Sequence, residues 1–171
     1  MKTRRMKWLT RLAALAAASL GAVASGCVNT DTAIFVDAGI DGPSLTVAQG
    51  PLGSSMSGAF TLTLHLGARA AGASDVTFGT FNLEKADRSA VIVDGLPVSS
   101  STASPVGVEP DTTVEVDFVI DSGADPLDMS VIDQICAGDV VISGTIDDSL
   151  ADKQTPVVSD AFSALGCAGG T

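Results

Sequence analysis

Three cysteines, one histidine and a scatter of aspartates are the side chains of this 171-residue chain that could do chemistry. Cys27 stands alone near the start, while Cys136 and Cys167 stand late, 31 positions apart. A zinc site needs Cys or His ligands grouped at short spacing, and no such group occurs. His65 sits in Phe60-Thr61-Leu62-Thr63-Leu64-His65-Leu66 on the phase of the threonines. It is therefore expected to face solvent rather than to act as a base. No G-x-S-x-G sequence supports a Ser-His-Asp set, and no glycine-rich turn leads from a strand into a helix to cradle phosphate. Asp147-Asp148 and the pair Glu115 and Asp117 could work as acid and base, as in glycoside hydrolysis. They read instead as solubilising acids of a turn and of a wet strand face. The only Trp is Trp8 and there is no Tyr, so aromatic platforms for sugar rings are missing beyond residue 8. The chain is expected not to be an enzyme.

Aspartates in loops could still hold a hard cation through oxygen ligands. Asp37-Ala38-Gly39-Ile40-Asp41-Gly42 supplies two, and Asp121, Asp125 and Asp128 supply three more. The first pattern lacks the third acid and the distal Glu of an EF-hand loop. These five residues are the candidate calcium ligands, and a calcium-stabilised adhesion-type module is the alternative to a cofactor-free domain.

The first eleven residues carry Lys2, Arg4, Arg5, Lys7 and Arg11 and no acid. Leu12 to Val23 is an apolar run, too short to span a bilayer as a helix but suited to the core of a signal peptide. It should be helical during export only. Ala24-Ser25-Gly26-Cys27 resembles a bacterial lipobox, with Ala24 where an aliphatic residue is usual. The resemblance implies that 1–26 is a lipoprotein signal peptide, that Cys27 is lipidated, and that 27–31 is a tether. It implies a membrane as partner through that lipid, and it leaves Cys136 and Cys167 as a disulfide pair in an oxidising compartment. The competing reading takes Ala22-Val23-Ala24 as an ordinary cleavage site. It gives a secreted protein with Cys27 free or bonded to another chain. Thr3 to Leu9 is similar to a twin-arginine signal but lacks its Phe, and reads as an ordinary basic region. Val28 stands where an Asp would retain a lipoprotein at the inner membrane, so an outer-membrane location facing periplasm or cell surface is expected.

Something must position these residues, and the pattern downstream is that of strands. From Cys27 onward only Arg69, Lys85, Arg88 and Lys153 oppose all twenty acids, a balance of −16. Such a surface repels nucleic acid. Phe60, Leu62, Leu64 and Leu66 alternate with polar residues, the period of a half-buried antiparallel strand. Val114, Val116, Phe118 and Ile120 repeat the pattern, with Glu115 and Asp117 on the wet face. Shorter strands are expected over Thr32–Val36, Ser44–Gln49, Ala90–Val93, Asp139–Ile146, Thr155–Val158 and Ala161–Leu165, with a turn at 37–43 and loops at 50–55 and 99–105. The apolar phase flips between Val76-Thr77-Phe78 and Phe81-Asn82-Leu83, which demands a bulge or break at Gly79. A short helical turn is expected near 126–135, capped by Asp125 with Pro126 first in the helix.

Taken together, the lipobox-like Ala24 to Cys27, the strand Phe60 to Leu66, and Cys136 and Cys167 flanking Val140 to Ile146 resemble bacterial lipoproteins that carry one immunoglobulin-like domain. The resemblance implies an all-β, antiparallel immunoglobulin-like β-sandwich of about seven to nine strands over 32–168, followed by a disordered tail at 169–171. It implies a binding or structural module with an unidentified protein partner.

Overall fold

The computed structural model describes residues 33–50, 53–123 and 126–167. The leader, Cys27, the tether and the tail lie outside them, as do Pro51, Leu52 and Asp125. Two antiparallel sheets face each other across an aliphatic core, an all-β sandwich. The first sheet runs β1 (Val36–Gly50), β2 (Gly53–Leu66), β8 (Thr112–Asp121) and β6 (Val98–Ser100), in that order. The second is built on β9 (Val140–Asp148). β4 (Asn82–Lys85) and β3 (Ser74–Phe78) pair with β9, and β10 (Thr155–Val158) pairs with it too. Ser143 pairs with both Asn82 and Val158, and Ile146 with both Phe78 and Thr155. A strand has two sides, so β3 and β4 share one flank of β9 and β10 takes the other. β5 (Val91–Val93) and β7 (Val106–Val108) close the outside, on β4 and β3 respectively.

The alternation read from the sequence sets the core. Phe60, Leu62, Leu64 and Leu66 are buried, and so are Val116, Phe118 and Ile120 from the neighbouring strand. Phe60 and Phe118 come from the first sheet, and Phe78 and Phe81 from the second. Phe60 stacks on Phe118 at 4.9 Å between ring centroids, and Phe81 meets both edge-on at 5.1 Å. This cluster bridges the sheets in the offset and edge-to-face arrangements that aromatic rings favour. The expected flip at Gly79 is present. Gly79 N–H donates to Thr145 C=O in the register of β3, while β4 resumes one residue out of step along β9. A Cβ at Gly79 would lie 2.3 Å from Thr145 Oγ1, so only glycine lets the two strands close here.

Several boundaries differ from the sequence expectations. Of the strand expected at Thr32–Val36, Ala33 to Phe35 are not strand and Thr32 lies outside the described residues; Val36 opens β1, which runs on through the expected turn at 37–43 and the strand at Ser44–Gln49, broken by a register shift between Asp41 and Ser44. Gly42, at φ +57°, and Pro43 together stand opposite Phe60. The long partner β2 pairs on both sides of this bulge, so local turn chemistry is absorbed instead of ending the strand. Of the loop expected at 50–55, Gly50 ends β1 and Gly53 to Ser55 already belong to β2, with Gly50 opposite Gly53. Part of the loop at 99–105 is β6. The helix α1 is Met129–Cys136, and its N-cap is Asp128. Pro126 lies outside it, because Leu127 is held by a backbone bond to Ser54 and the helix starts only beyond that tie. Ala161–Leu165 forms isolated bridges, not a strand. Ten strands result among the described residues, against seven to nine expected, because three-residue rungs such as β6 and β7 carry too little alternation to read.

Candidate functional site

Among the described residues, four places gather chemically active side chains. The first is the end of the sandwich where β1 begins. Val140, Ile142 and Ile146 set the inward phase of β9, and Asp148 continues it, so this carboxylate is buried, 4% exposed. It accepts hydrogen bonds from Val36 N–H at 2.7 Å, from Leu150 N–H at 2.8 Å, and from the Ser74 hydroxyl. Burial pushes its pKa up, but the three donors outweigh burial and hold it below the ordinary carboxylate range. The expectation of a solubilising turn acid is corrected: Asp148 clamps the starts of β1 and β3 to the end of β9. The phase of β9 was the signal that could have found it. Immediately before β1, Ile34 and Phe35 are exposed. Phe35 walls a groove of about 350 Å³ with Ala151, Lys153 and Pro156.

The second place is the disulfide. Cys136, at the end of α1, is bonded to Cys167, with Cα atoms 5.4 Å apart. Between them the chain after β10 runs back along the edge of β1. Val47 N–H donates to Leu165 C=O and Leu165 N–H to Leu45 C=O, each at 2.8 Å, while Val140 and Phe162 exchange both backbone bonds. This strap covers part of the edge of the longest strand, an edge that would otherwise offer itself to another chain.

The third is the wet face of the first sheet. Asp37, Asp41, Glu115, Asp117 and Asp121 are exposed there. Threonines tie the strands sideways: Thr63 donates to Asp41 at 2.7 Å and Thr61 to Asp117 at 2.9 Å. His65, half-buried on this face, lies with Nδ1 3.0 Å from Thr113 Oγ1, opposite Asp37. The fourth is on the second sheet, where Glu84 accepts from the Ser143 hydroxyl and from Arg88 Nε at 3.3 Å, an arrangement the sequence reading missed. Glu84 is paired with Val141, so its outward phase beside Ser143 follows from register alone.

The calcium candidates are spread apart by element. Asp37 and Asp41 lie on β1. Asp121 ends β8 and accepts from Gly123 N–H, and Asp128 caps α1 through Ser130 N–H at 2.9 Å. Asp125 is outside the described residues, as is the lipidation candidate Cys27. Among the described residues no three His, Cys, Asp or Glu side chains converge as metal ligands. The Ser130 N–H bond, ahead of the Ser130 hydroxyl, holds the Asp128 carboxyl below its ordinary value. Asp128→Ala should therefore speed hydrogen exchange at the Ser130 and Val131 amides, while Asp128→Asn, which caps equally well, should leave it unchanged.

No known protein family, curated protein or solved structure matches the chain.

Proposed function

We propose that the chain is an exported lipoprotein whose single immunoglobulin-like sandwich serves as a binding or structural module of the cell envelope. The observation that carries this reading is the Cys136–Cys167 bond. It accounts for two of three cysteines and leaves Cys27, behind the lipobox-like Ala24-Ser25-Gly26, as the one without an intramolecular partner. In an oxidising compartment a lipidated sulfur accounts for that odd cysteine. Acyl chains on Cys27 would supply the stable anchoring that two lipid chains give.

The strand order supports the immunoglobulin-like assignment. The order β1-β2-β8-β6 corresponds to strands A-B-E-D of that fold, and β10-β9-β4-β5 to G-F-C with one strand added. The disulfide joins α1 to the strap and not the two sheets, so the likeness is one of topology. Binding by strand addition has little edge to use: the strap covers part of β1, β5, β6 and β7 are three-residue edges, and β10 is four residues long. The acidic sheet face and the loops at the two ends remain as contact surfaces.

Intact-mass analysis of the exported protein tests the reading. The expected mature chain starts at Cys27, carries diacylglycerol on sulfur, and moves to the soluble fraction in Cys27→Ala. A chain starting at Ser25 with an unmodified Cys27 would overturn it in favour of secretion.

A further inference from the structure

We propose that the end of the sandwich bearing Ile34 and Phe35 rests on the bilayer that holds Cys27, with these two side chains in the boundary between headgroups and acyl chains. The inference rests on the lipid-anchored reading and gives it an orientation.

Ile34 and Phe35 are 50% and 47% exposed, although Phe60, Phe78, Phe81 and Phe118 pack together inside. Two large adjacent apolar side chains at a surface tip mark a contact site more than scattered single ones do. Small apolar side chains accompany them at this end. β2 ends at Leu66 opposite Val36, so the loop that follows it, with Ala68, Ala71 and Ala73 exposed, flanks Phe35 at the same end. The 350 Å³ groove on the other flank is lined by Ala151 and Pro156 as well as Phe35. Arg69 and Lys153, two of the four basic residues after Cys27, lie in these two loops, and Asp75, Glu109, Asp111 and Asp152 lie at the same end. Charge therefore does not draw this end to a surface; apolar contact does. The chain from Cys27 onward, at a balance of −16, is repelled by anionic headgroups.

The occupant follows from chain length. Eight peptide units separate Cys27 from Phe35, a reach of at most about 28 Å even fully extended. A lipid on Cys27 thus keeps this end, and no other, beside the bilayer at high effective concentration, where exposed Ile and Phe partition into the interface as the apolar face of an interfacial segment does. The clamp on Asp148 fixes the geometry, since it binds the Val36 N–H next to Phe35 and the Ser74 hydroxyl at the end of the flanking loop.

A chain that starts at Cys27 contains no Trp, so Phe35→Trp carries a single fluorescent reporter. The exported, lipidated protein would be reconstituted into phosphatidylcholine vesicles with and without bromine on the acyl chains. Ile34→Trp serves as a second reporter, and Val119→Trp, 52% exposed on the sheet face, as the comparison. The expected result is that bromine removes about half of the emission at positions 34 and 35 and leaves position 119 unchanged, as interfacial depth requires. Vesicle-bound protein whose Trp at 34 and 35 is unquenched overturns the proposal, including the case of blue-shifted emission from cover by residues 28–32. Equal quenching at 119 overturns the orientation. Protein that does not sediment with vesicles overturns the lipid-anchored reading itself, and the orientation with it.

Discussion

Asp148→Ala should lower the unfolding free energy by about 3–5 kcal/mol, because it strands three partly or fully buried donors at once. The Ser74 hydroxyl, the Val36 N–H and the Leu150 N–H all lose their acceptor, and little water reaches a residue that is 4% exposed. Asp148→Asn should recover part of this loss, since its amide oxygen can still accept while its NH2 cannot. Asp147→Ala, next door but exposed, should stay within about 0.5 kcal/mol. Urea unfolding of the three variants reads the difference. The sign of the pH dependence follows from the direction of the shift. A carboxylate whose native pKa is lowered stabilises fully above its unfolded value, about 4, and that contribution fades as pH falls through the lowered native value. Wild type should therefore lose stability on acidification below about pH 4 more steeply than Asp148→Asn. Equal slopes would show that the clamp titrates like an ordinary surface acid.

The second large effect is expected from the disulfide. Cys136→Ser with Cys167→Ser opens a loop of 31 residues, which by the chain-entropy estimate costs about 3–4 kcal/mol. The loss should have a local signature. The strap is bonded to β1 through Leu45 and Val47 and to β9 through Val140, so amide exchange at Val47 and Val140 should accelerate before that of Leu62 or Leu64 in the centre of the first sheet. Exchange that rises equally everywhere would mean that the bond only constrains the unfolded chain.

Periodicity carried the sequence a long way. The alternation of Phe60 to Leu66 and of Val114 to Ile120 named the buried faces correctly, since a period of two leaves each side chain one choice of side once one face is apolar. The phase flip at Gly79 was equally legible, because a slip of one residue cannot be hidden in a strand. What failed were readings of short segments by their local chemistry. Asp37 to Pro43 has the composition of a turn, yet the pairing offered by β2 on either side outweighs that preference. Asp125 with Pro126 makes a good helix start on paper, but the tie between Leu127 and Ser54 moves the start to Met129.

The sequence by itself determined the all-β character, the inner faces of the main strands and the strongly acidic surface, because these follow from side-chain period and charge, which are local quantities. Tertiary structure alone decided that Asp148 is a buried clamp and not a surface acid, that Glu84 meets Ser143, and that the segment before Cys167 guards the edge of β1. Each of these depends on which distant strand lies alongside, and pairing between residues 59 to 120 positions apart is written in no single stretch of the chain.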